Sequence, residues 1–153
     1  MSWILEEKIE DAYAAYLRAN LPGSMRVYVG WTDEEIQYPC VVCHAGSSDN
    51  LDDETTFNGH RRVPVEIAVI SEATPELDAD GKQVRSSRDR NSDVRGPVMS
   101  ALAKTALHTD LNDMNVAGVK FSQAHMTALT RSVEGRHFVS KIIVDTIANP
   151  TAG

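Results

Sequence analysis

Residues 60–71, "HRRVPVEIAVIS", constrain the fold more than any other stretch. Val63, Val65, Ile67 and Val69 recur at every second position. Side chains of an extended chain alternate between faces, so this period reads as a β-strand with one buried face. Such half-buried strands belong to antiparallel sheets more often than to parallel ones, which are covered on both sides. Pro64 falls on the other face and has no N–H, which predicts a sheet edge or a bulge there.

The remaining segments supply partners for that strand. Leu5, Ile9, Tyr13 and Leu17 recur every four residues, with Ala12 and Tyr16 beside them, and predict an amphipathic N-terminal helix. Ser2 is placed to cap it, Glu6 and Glu7 suit its positive end, and "NLPG" ends it. "MRVYVG" at 25–30 and "PCVVCHA" at 39–45 read as strands, with a polar connection at 31–38. Residues 46–59 read as an acidic loop. Residues 72–90 read as a polar excursion, with a hairpin tip at Asp80-Gly81.

A second helix is expected from about Arg88 to His108, its inner face formed by Val94, Val98, Ala101, Leu102, Thr105 and Ala106. Gly96-Pro97 predicts a kink or a late start. Strands at 116–124 and 136–148 follow, with a connection at 125–135. The fold expected is α+β in one domain over 1–153: a mainly antiparallel sheet of about five strands, two helices on one face, order α-β-β-β-α-β-β.

Charge narrows the function. The chain carries a net charge of −7, which disfavours a generic nucleic-acid binder. Residues 1–60 hold 11 acids and 3 bases, residues 61–153 hold 11 acids and 12 bases. That asymmetry would favour head-to-tail contact between copies. No apolar stretch approaches the roughly 20 residues that cross a bilayer, and the acidic N-terminus does not read as a signal peptide. The two cysteines are therefore expected to be reduced.

Those cysteines raise the sharpest chemical question. Cys40, Cys43 and His44 spell C-x-x-C-H, the letters of c-type haem attachment. In a strand, however, residues three apart point to opposite faces. The sulfurs would diverge from a haem, and equally from each other in a disulfide. Zinc needs about four ligands, and only one such pair is present, with His60 as a distant addition. The sequence at 78–81, "DADG", lacks the later ligands of a calcium loop. His108, His125 and His137 sit in no triad pattern, and no phosphate-binding glycine motif occurs. No metal, cofactor or catalysis is expected. A small thiol- or metal-dependent domain using Cys43, His44 and His60 is the alternative from another class.

The ordered set of elements resembles the tail-terminator and tail-completion proteins of long-tailed bacteriophages. The carriers are the helix ending at "LPG", the "YP" pair before "CVVCHA", the acidic loop before "RRVPVEIAVI", the helix "VRGPVMSALAKTAL" and the strand "FVSKIIVDTI". Together they span residues 3–147. The resemblance implies a structural protein of the virion, assembled in the host cytoplasm as a homo-oligomeric ring, commonly a hexamer. The ring would sit at the head-proximal end of the tail, between the major tail tube protein and the head-completion or connector protein. DNA would only pass through its lumen. A head–tail connector or minor capsid protein is the neighbouring alternative. In a ring, Asp49, Asp52, Asp53 and Glu54 are expected at an interface or the lumen, and the basic run Arg85, Arg88 and Arg90 at an interface. With Arg95, and interrupted by Asp89 and Asp93, that run also reads as a surface of paired charges, with phosphate binding as the alternative.

Overall fold

The structure, a computed structural model, describes residues 2–30, 35–46, 49–50, 61–106, 111–112, 114 and 119–150. Helix α1 (Ser2–Asn20) is followed by β1 (Arg26–Val29), β2 (Cys40–Ala45), β3 (Asp49–Asn50), β4 (Arg61–Glu72), β5 (Glu76–Leu77) and β6 (Gln83–Arg85). Helix α2 (Ser87–Lys104), β7 (Val119–Glu134) and β8 (His137–Pro150) complete the order. The main sheet runs β1-β2-β4-β8-β7, with β3 pairing to β4, and β5 and β6 form a separate hairpin. Among the described residues only β1 and β2 pair in parallel; the other pairs are antiparallel.

The fold is the expected α+β arrangement, built on the expected periods. Val63, Val65, Ile67 and Val69 face the helices, together with Val41, Cys43 and Ala45 of β2 and Ile142, Val144 and Ala148 of β8. Leu5, Ile9, Tyr13 and Leu17 lie in the same core. Helix α1 covers β1 and β2, and α2 covers β4 and β8. The opposite face carries Val42, Ala68 and Ile143 among Glu66, Lys141 and Asp145.

Strand β4 is central rather than an edge. Even so, Pro64 sits at a local break: β2 ends opposite Val65, and β3 resumes opposite Arg62. The Pro64 carbonyl accepts from Gly46 N at 2.8 Å, so the missing N–H falls in the gap between the two partners.

Other expectations need correction. Asp49–Asn50 of the presumed loop is strand β3. The presumed connection at 125–135 is a continuation of β7 to Glu134, and Gly135, at φ 63°, makes the turn into β8. Ser2 lies within α1 rather than before it, and no acid lies in the first turn, Glu6 and Glu7 falling beyond it. Helix α2 starts at Ser87, capped by Ser86, whose Oγ accepts from Asp89 N at 3.1 Å. It does not begin late at Pro97, which lies inside it, and it ends at Lys104, leaving Ala106 exposed. Its fully buried Asn91 bonds to β4 and β8, an anchor that no periodicity announces.

Candidate assembly surface

The two ends of the sheet differ. At one edge, β1 is four residues long, and the Arg18 guanidinium donates to the Val27 carbonyl at 2.7 Å. A strand adding there would have to displace that arginine. At the other edge, β7 runs for 16 residues and no described strand pairs with its outer side. Residues 127–134 are exposed throughout. The exposed stretch 127–134 offers a row of N–H and C=O groups for another chain to pair with.

The β5–β6 hairpin leaves the sheet at the end of β4, beside the β7–β8 turn. Ala73, just past β4, donates from its N to the Arg136 carbonyl in the β7–β8 turn at 2.8 Å. The β5–β6 hairpin closes at Asp78–Lys82, where the Asp78 carboxylate accepts from Asp80 N and Lys82 N, both at 2.9 Å, and Gly81 takes φ 81°. This is the hairpin expected from Asp80-Gly81. On the same end, Tyr38, preceding a cis bond to Pro39, stacks on His137 with ring centroids 4.1 Å apart.

Cys43 lies in the helix-covered core and Cys40 points to the other face, as the pleat requires. Burial pushes the Cys40 thiol from 9.0 up to about 11 and the Cys43 thiol up to about 12. Both stay protonated at neutral pH. Raised thiol pKa values mean that the fold favours the neutral form, so this stability is complete below the unfolded value. It is lost as pH rises through about 11 and about 12. Urea midpoints should therefore fall between pH 9 and pH 11, and a Cys43→Val variant should lose less over that range. Both thiols should resist alkylation at pH 8 until the chain is unfolded.

Beside Cys43, His44 Nδ1 meets Glu10 Oε2 of α1 at 3.2 Å, and the same oxygen accepts from Ala45 N at 2.8 Å. Gly30 leaves room for this contact, since a Cβ there would come within 2.9 Å of His44 Nδ1. The pair ties α1 to the end of β2. His60 lies outside the described residues, and no cluster of metal-ligating side chains forms among the described ones.

The arginines are locally engaged. Arg85 pairs with Asp93 at 2.6 Å, Arg88 with Asp89 at 3.4 Å, and Arg90 donates to the Thr74 carbonyl at 2.9 Å. They join β6 and the β4–β5 link to the start of α2; Arg85 and Arg88 form paired surface charges, while Arg90 bonds a neutral carbonyl. Asp49 contributes to β3 through its backbone; Asp52, Asp53 and Glu54 lie outside the described residues.

The fold is similar to that of a solved chain from "Virion of native gene transfer agent (GTA) particle". The match covers 95% of this chain and 94% of that one, with a TM-score of 0.54 and 12% sequence identity. The likeness is one of fold. No protein-family model and no curated protein matches the sequence. Among the described residues, no helix is long and apolar enough to cross a membrane. What sequence reasoning missed is the open β7 edge. Its alternation is blurred by two register shifts, at Phe121/Gln123 and Met126/Ala128, and its outer half has no buried face to mark it.

Proposed function

We propose that this chain is a structural protein of a phage-like virion, which forms a homo-oligomeric ring that terminates the tail tube and presents the head-joining surface. The observation that carries the reading is the full-length likeness of fold to a chain of a gene transfer agent virion. The long open edge of β7 and the blocked edge of β1 support it, because unlike edges favour head-to-tail contacts, and these close into rings. The role needs no catalysis. Cysteines held neutral on opposite faces of a strand agree with a passive part. The segment bearing Asp49, Asp52, Asp53 and Glu54 is assigned to the lumen or an interface. Negative charge in the lumen would keep passing DNA from adhering.

Native mass measurement of the purified chain, with and without tail tubes, tests this. A ring, six copies by expectation, should form alone or on the tubes, and electron microscopy should place it at one tube end only. A chain that stays monomeric and never caps tubes rules the reading out. A ring that binds the head portal but not the tube reassigns it to the connector.

A further inference from the structure

The hairpins at the end of the sheet expose their apolar side chains in pairs. Leu77 is 55% and Val84 56% exposed on β5–β6, and Leu129 is 40% and Val133 60% exposed on β7. These are four of the five large apolar side chains left exposed among the described residues. The hairpin roots adjoin through Ala73 and Arg136, yet neither hairpin covers the other's apolar groups. Their charges are opposite in sign. Residues 76–85 carry Glu76, Asp78 and Asp80 against Lys82 and Arg85, the last committed to Asp93, and residues 129–136 carry Arg131 and Arg136 against Glu134.

We propose that the β5–β6 hairpin of one copy docks along the open β7 edge of the next copy, seating Leu77 and Val84 on Leu129 and Val133. This rests on the ring reading above and names its contact. The occupant is a second copy, because the chain itself supplies a projecting element that matches the edge in both apolar content and charge. The arginines at 131 and 136 face the carboxylates of Glu76 and Asp80 across the joint. Asp78 stays committed to its own turn through Asp80 N and Lys82 N. Each copy offers one hairpin and one edge, so the contact is heterologous and can close into a ring.

Buried Cys40 and Cys43 leave the surface clear for introduced thiols. Leu77→Cys protein mixed with Val133→Cys protein should give, on mild oxidation, at least about ten times more covalent dimer than either alone. The double variant Arg131→Glu/Arg136→Glu should lose the ring mass, and adding Glu76→Lys/Asp80→Lys should restore it. All these side chains lie on exposed positions, so circular dichroism should be unchanged. If rings form but the mixture does not crosslink and the charge variants keep full mass, the docking is wrong and the ring stands. If single variants crosslink alone as well as mixed, the contact joins like to like and the docking is wrong. A wild-type chain that is monomeric even with tubes removes both.

Discussion

Replacing Asn91 by alanine should cost about 3 kcal/mol of folding stability, although only a small carboxamide is lost and the helix otherwise favours alanine. Its Nδ2 lies 2.9 Å from Ser71 Oγ, 3.1 Å from the Phe138 carbonyl and 3.3 Å from the Val69 carbonyl. Its Oδ1 accepts from Ser140 Oγ at 2.6 Å, and Ser140 also receives Arg95 Nη1 at 3.2 Å. One side chain thus ties α2 to the two central strands. Truncation would strand several buried polar atoms at about 1–3 kcal/mol each, softened where Arg95 still serves Ser140. With a urea slope of about 2 kcal/mol/M, the midpoint should fall by about 1.5 M. Asn91→Asp makes the decisive comparison. It keeps the shape but sets a carboxylate oxygen against the Val69 and Phe138 carbonyls, so it should be at least as damaging as alanine. If aspartate were tolerated while alanine was not, packing rather than hydrogen bonding would be the cause.

Asn91 also shows where reading a sequence stops. The stripe Leu5–Ile9–Tyr13–Leu17 and the alternation Val63–Val65–Ile67–Val69 were legible because each faces one continuous core, so burial imposes its own period. Asp80-Gly81 marked its hairpin because positive φ leaves few residue choices. The pleat alone predicted that Cys40 and Cys43 point to opposite faces, as they do. By contrast, "HMTALTRSVE" showed no clear alternation, since most of it is exposed on both faces of an edge strand. Asn91 has the composition of any polar position near the start of a helix, and its partners lie 20 to 49 residues away. The arginines were legible as a basic run, but the partner of Arg85, Asp93, is set by how a hairpin folds back on a helix. Assembly surfaces share that difficulty: they are defined by what the fold leaves uncovered, and a sequence records mainly what must be covered.

The largest loss from a single side chain is expected at Tyr13. It is fully buried, donates or accepts at 2.6 Å with Thr146 Oγ1 of β8, and sets its ring edge-on to Phe121 of β7, with centroids 6.1 Å apart at 89°. It therefore joins α1 to the same strand whose outer half forms the open edge. Tyr13→Ala would leave a ring-sized cavity between helix and sheet and should cost about 4 kcal/mol. For a domain of ordinary stability, about 5–15 kcal/mol, that leaves little margin, and soluble yield should drop sharply. Tyr13→Phe separates the contributions, since it keeps the ring and removes only the hydroxyl. Thr146 then retains its longer bond to the Val144 carbonyl, 3.4 Å, so the loss should be about 1 kcal/mol. Burial also holds the Tyr13 hydroxyl well above the usual tyrosine range, so its ionisation opposes folding only at strongly alkaline pH. Urea midpoints of the two variants should therefore differ by about 1.5 M at a slope of about 2 kcal/mol/M. Equal losses would mean that the hydroxyl, not the ring, holds α1 on the sheet. Because Leu129 and Val133 lie on the far half of β7, Tyr13→Phe should still assemble like the wild type. Loss of assembly in that variant, with its fold intact, would show that the docking edge is shaped through α1 and not by β7 alone.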